Sequence, residues 1–90
     1  MIRSYKIVVK GKVQGVNYRY TAQAKAHQLD LTGFVRNMHD GSVIAMAEGE
    51  EENVHLFIEW CNMGPRRADV TEVHAEECDL KGYHTFEIKK

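Results

Sequence analysis

The chain is short of several things, and each shortage closes off a class of function. Its 90 residues hold 12 lysines and arginines against 13 aspartates and glutamates, a formal net charge of -1. It therefore has no broad basic field for gripping nucleic acid or an anionic membrane, and affinity for an anion has to come from a local site. There are 2 cysteines, Cys61 and Cys78, far apart and outside any CxxC arrangement. Neither a zinc knuckle nor a thioredoxin-like redox pair can be built on that spacing, so buried or half-buried thiols are expected. The 5 histidines, at 27, 39, 55, 74 and 84, lack the HExxH spacing that puts two ligands on one helix face, and no metal or other cofactor is expected. No apolar run approaches the roughly 20 residues of a membrane span, and Met1-Ile2-Arg3-Ser4 lacks the apolar core of a signal peptide. The expected location is the cytoplasm, with no membrane partner. Linkers, internal repeats and low-complexity segments are also missing, and 90 residues suit a single domain over residues 1–90 with one modest core.

What is present reads as alternating strands and helices. Tyr5 to Lys10 alternates, with Ile7 and Val9 facing one way and Lys6 and Lys10 the other, as a half-buried strand does. Tyr20 to about Leu29 is rich in helix formers, and Ala22, Ala26 and Leu29 share a small apolar face suited to close packing on a sheet. Gly33 to Met38 and Ser42 to Glu48 read as a hairpin about an Asp-Gly turn, with Val43, Ala45 and Ala47 on one side and the first strand as neighbour. Gly49 to Met63 reads as a second helix. Its apolar stripe is Val54, Phe57, Ile58 and Cys61, its acidic start is Glu50 to Glu52, and Gly64-Pro65 stops it. Trp60 flanks the stripe, in the core or on its rim. Val70 to Cys78 and His84 to Lys89 finish as strands. The order β-α-β-β-α-β plus a short C-terminal strand predicts an α+β, ferredoxin-like sandwich: an antiparallel sheet with both helices on one face.

Between the first strand and first helix lies Gly11-Lys12-Val13-Gln14-Gly15-Val16-Asn17-Tyr18-Arg19. Glycines let successive backbone N–H groups turn inward around an anion, a following helix adds its positive end, and Arg19 could bind phosphate through a planar fork. A plain strand-to-helix turn with a surface arginine is the alternative. The spacing is not GxxxxGK followed by Ser or Thr, nor GxGxxG, which argues against ATP and NAD. Cysteine phosphatases place their nucleophile six residues before the loop arginine, and that position is Val13. No Asp, His, Cys or Ser lies between Gly11 and Arg19, so a covalent phosphoenzyme is disfavoured.

Read with Gly33-Phe34-Val35-Arg36-Asn37-Met38-His39-Asp40-Gly41-Ser42-Val43, the loop resembles the two signature blocks of the acylphosphatase family. The likeness extends to Ala26, Leu29, Leu31 and Gly33, to Gly64-Pro65 with Ala68 and Val70, and to Phe86 and Ile88, which is almost the whole chain. It implies a hydrolase that cleaves the carboxyl–phosphate anhydride of acyl phosphates by direct attack of water, releasing carboxylate and inorganic phosphate. Such a monomer would bind no nucleic acid. Gln14, Gly15, Val16, Asn17, Tyr18 and Arg19 would bind the phosphoryl group, Arg19 and Asn37 would be catalytic, and Asn37 would hold the water. Without the resemblance Asn37 reads first as a turn-favouring residue ahead of the hairpin. Ser42 would orient the Asn37 amide.

Three positions stay open. Gln14 would offer a backbone N–H or a side-chain brace, and the side chain of Asn17 would narrow the mouth or touch substrate. Asp30, where the family usually has glycine, would take a left-handed turn or end the helix differently. Arg36, Arg66 and Arg67 would steer an anion or only solvate the surface. The rival functional reading is a ferredoxin-like module that binds or senses an anion without turning it over. A nucleic-acid binder of this topology would need exposed sheet aromatics on a basic face, which the sheet residues do not supply.

Overall fold

The computed structural model describes all 90 residues. In chain order the elements are β1 (Ile2–Lys12), α1 (Tyr18–Gln28), β2 (Thr32–Asn37), β3 (Val43–Glu50), α2 (Glu51–Met63), β4 (Asp69–Cys78) and β5 (Phe86–Lys89). The strands form a sheet in the order β4-β1-β3-β2-β5. The first four run antiparallel to their neighbours, as expected. The C-terminal strand pairs parallel to β2, Gly33 opposite Phe86 and Arg36 opposite Lys89, so the complete sheet is mixed.

The register follows from the alternation. Ile7 faces Ala45 and Val9 faces Val43 across β1 and β3, and Val35 faces Ala45 across β2 and β3. All five are buried on the helix-covered face. A slip of one residue would turn them to solvent. Gly33 sits where an added Cβ would come within 1.7 Å of the Met46 carbonyl oxygen; only glycine lets the two strands meet there. The central strand is less one-sided than the alternation suggests. Ile44 and Met46, on the outer face, are also buried, beside Lys6, Val8, Phe34 and Arg36 on the flanking strands, whose long side chains cover the surface between strands.

Both helices pack on one face, α1 over β2 and β5 and α2 over β1, β3 and β4. Ala22 and Ala26 bring α1 close to the sheet, while Val54, Phe57 and Cys61 are the buried positions of α2. Tyr18, Trp60, Phe57 and Phe86 form a continuous aromatic seam, with ring centroids 5.2 Å apart for Tyr18 and Trp60 and 5.7 Å for Phe57 and Phe86. Trp60 sits on the rim of this core. Burial pushes the Cys61 thiol up to about 12. Past α1, Asp30 takes φ 57, so the helix ends through a left-handed aspartate, which a short polar side chain tolerates.

Candidate active site

α1 begins at Tyr18, two residues earlier than the run of helix formers suggests. The reason lies in the core: Tyr18 is buried and its hydroxyl donates to the Cys61 carbonyl at 2.8 Å. That bond and burial hold its phenol protonated, well above its ordinary pKa. Val13 and Val16 are buried as well. Three apolar pins thus fix the loop from below, and Val16 and Tyr18 offer the site only backbone.

Between the pins, Gly15 has φ 73 and Asn17 has φ 69 and ψ 21, both left-handed. A Cβ at Gly15 would meet nothing within 4 Å, so glycine serves there for its backbone freedom alone. At Asn17 the same conformation explains why a residue that tolerates it stands at the helix N-cap. Its side chain makes no capping bond, while its carbonyl accepts the first helical N–H, from Thr21, at 3.2 Å. No acceptor in the protein takes the N–H groups from Gly15 to Tyr20. The first turn of α1 also carries no acidic residue. A row of free donors at a helix start, with no carboxylate to compete, is the physical form of an anion cradle.

A cavity of about 180 Å³ opens on this segment, lined by Val13, Gly15, Asn17, Tyr18, Arg19, Tyr20 and Asn37. Since a water occupies about 30 Å³ of liquid, a phosphoryl group with a water beside it fits. Arg19 stands in the first turn of α1, its Nη1 donating to the Lys89 carbonyl at 3.0 Å. Asn37 enters from the end of β2, opposite Val43 of β3, and no hydrogen bond within the protein occupies its side-chain amide.

Gln14 and Ser42 are placed differently. The Gln14 amide donates to the carbonyls of Met38 at 2.7 Å and Ser42 at 2.9 Å, bracing the β2–β3 turn against the loop. Of its two open roles, its side chain takes the brace. The Ser42 hydroxyl donates to Asp40 Oδ1 at 2.6 Å, and the Ser42 N–H reaches the same oxygen at 3.0 Å. The Ser42 hydroxyl thus spends its proton on the turn, and no hydrogen bond joins it to the Asn37 amide. The same two bonds hold the Asp40 carboxyl below its ordinary pKa. Arg36 lies over the Phe34 ring, 5.9 Å from its centroid. With Lys90 it borders a second cavity that shares Asn37. Tyr20 and the Lys89 carbonyl are not legible in the sequence: one reads as an ordinary helix former, and a backbone acceptor carries no sequence signal. No three His, Cys, Asp or Glu residues are grouped to hold a metal ion.

Fold and cavity together define a small α+β protein with a row of free N–H donors and an open cavity at one end of a ferredoxin-like sheet. The acylphosphatase family model matches residues 5–88. The chain is 52% identical over 83 residues to an acylphosphatase of Acaryochloris marina, covering 92% of this chain and 89% of that one. To an acylphosphatase of Marinobacter nauticus it is 50% identical over 76 residues, 84% of this chain and 83% of the other. The crystal structure of acylphosphatase from Bacillus subtilis superposes with a TM-score of 0.95 at 38% identity, over 100% of both chains. The chain belongs to the acylphosphatase family.

Proposed function

We propose that this protein hydrolyses acyl phosphates by in-line attack of water on a phosphoryl group held by the loop N–H groups and Arg19. Family membership makes acyl phosphate hydrolysis its activity, in preference to anion binding without turnover. The observation that carries the mechanism is the row of unpartnered N–H groups from Gly15 to Tyr20 along a cavity that Arg19 and Asn37 also line.

The chemistry suits so sparse a site. A carboxylic acid has a pKa of about 4 to 5, so the departing carboxylate needs no general acid at neutral pH. Phosphoryl transfer is governed by alignment and by stabilising the equatorial oxygens, which fixed N–H donors and a guanidinium both supply. Asn37 is too weak a base to take the proton of water. Its free amide oxygen accepts one hydrogen bond and turns the oxygen lone pair toward phosphorus, and the proton passes to a phosphate oxygen or to solvent. Arg36 and Lys90, beside Asn37, draw the anion in.

The protein acts, in this reading, as one domain over residues 1–90, as a monomer and in the cytoplasm. Both cysteines are free, as thiols are in a reducing compartment. The edge strand β4 carries Glu72, His74, Glu76 and Glu77, charges that discourage edge-to-edge pairing. No helix is long and apolar enough to cross a membrane.

The test is turnover of a synthetic acyl phosphate beside an alkyl phosphate monoester, in chelator and after thiol alkylation. Hydrolysis of the first alone, unaffected by either treatment and inhibited competitively by inorganic phosphate, is expected. Loss in chelator that a divalent ion restores would overturn the metal-free mechanism.

A further inference from the structure

Tyr20 is 68% exposed, yet it lines the same cavity as Arg19 and Asn37. On α1 the buried positions are Tyr18, Ala22 and Ala26, so Tyr20 reaches the cavity from the solvent side of the helix. Asn37 reaches it from β2, in the sheet beneath α1. Tyr20 thus stands at the solvent mouth of the cavity and Asn37 at its sheet side. In-line displacement puts the attacking water and the departing oxygen on opposite sides of phosphorus. With the water on Asn37, the acyl group leaves toward Tyr20.

We propose that Tyr20 is the acyl-side wall of the site and that its ring selects acyl phosphates with a flat, apolar acyl group over small aliphatic ones. The inference rests on the acyl phosphate reading given above. The Tyr20 ring takes part in none of the aromatic pairs of the protein, so its faces are free for a ligand. Arg19 is the only charged residue of the cavity lining, and its charge is committed to phosphate. An acyl group there meets an aromatic face and no second cation. Stacking against a planar acyl group is the contact that this surface offers.

The experiment compares kcat/KM for benzoyl phosphate and acetyl phosphate in the wild type, Y20A and Y20F. Taking the ratio of the two substrates within each variant, and comparing ratios, cancels the difference between their leaving groups. Y20A is expected to lower the benzoyl-to-acetyl ratio about three- to tenfold, mostly through KM, and Y20F to keep it. Alanine is a better helix former than tyrosine and position 20 is exposed, so Y20A is expected to fold, which circular dichroism checks. An unchanged ratio in folded Y20A, or a loss in Y20F as large as in Y20A, would overturn the assignment while leaving acyl phosphate hydrolysis standing. Hydrolysis of neither substrate by the wild type would overturn both.

Discussion

Arg19 Nη1 donates to the backbone carbonyl of Lys89 at 3.0 Å, linking the first turn of α1 to the last residue of β5. A guanidinium on a flexible stem loses rotamer freedom when it binds phosphate. A bond that already points it toward the cavity removes part of that cost before substrate arrives. In the proposed mechanism the parallel strand β5 thus positions a binding group as well as closing the sheet.

A chain ending at Ile88 tests that role against one ending at Lys89, since both lose Lys90 and only the second keeps the Lys89 carbonyl. The shorter chain still keeps Phe86, the core residue of β5. An exposed hydrogen bond from a charged group is worth about 1 kcal/mol, so KM for acyl phosphate should rise about fivefold with kcat changed less. Equal kinetics in the two folded chains would show that Arg19 orients without Lys89.

Asn17→Gly and Asn17→Ala separate backbone from side chain at the cradle. Position 17 is left-handed, φ 69, which glycine adopts freely and alanine does not. The alanine variant should lose about 1 kcal/mol of stability in urea denaturation, and the glycine variant should lose little. If the residue serves only to aim N–H groups, glycine also keeps turnover within about threefold. A tenfold or larger drop in folded Asn17→Gly would mean that the Asn17 amide touches substrate.

The sequence pattern carried the architecture further than the site. Alternation at Ile7, Val9, Val43 and Ala45 and the small face of Ala22 and Ala26 place the sheet and helices correctly, because burial on one face is written as a period. Parallel pairing of β5 is not written that way, since Phe86 and Ile88 alternate alike in either direction. The buried anchor Tyr18 reads as a loop residue in the sequence because its partner, the Cys61 carbonyl, is distant in sequence and part of the backbone. Gln14 stays between two roles in the sequence for the same reason: the carbonyls of Met38 and Ser42 that it braces have no side-chain signature. Family likeness pairs Ser42 with Asn37, while the Ser42 hydroxyl donates to the nearer Asp40.

Asp40 gives the β2–β3 turn a pH dependence. Bonds from the Ser42 hydroxyl and N–H depress its folded pKa, so its contribution is complete above the unfolded carboxylate value of about 3.9 and is lost as pH falls through the lower, folded value. The gap in urea midpoint between wild type and Asp40→Ala should therefore be constant from pH 7 to about 5 and narrow below about 4. A gap that widens in acid would have the wrong sign for this arrangement.

In the proposed mechanism Arg19 and Asn37 act at different stages and should fail differently. Asn37→Ala removes only the anchor of the water, so inorganic phosphate should still inhibit competitively and still raise the melting temperature, while turnover falls roughly 10²- to 10³-fold, as for loss of one preorganised hydrogen-bonding group. Arg19→Ala should weaken phosphate binding and turnover together. Arg19→Lys keeps the charge but loses the planar fork, and an ammonium cannot both donate to the Lys89 carbonyl and meet two phosphate oxygens in the plane that the guanidinium uses. It should restore some phosphate inhibition and little turnover. Asn37 bonds to nothing in the protein through its side chain, and Arg19 contacts only a carbonyl at the sheet edge, so all three variants should fold, with circular dichroism as the check. Near-normal turnover in folded Asn37→Ala would remove the water from Asn37, and normal phosphate affinity in folded Arg19→Ala would move the cradle away from α1.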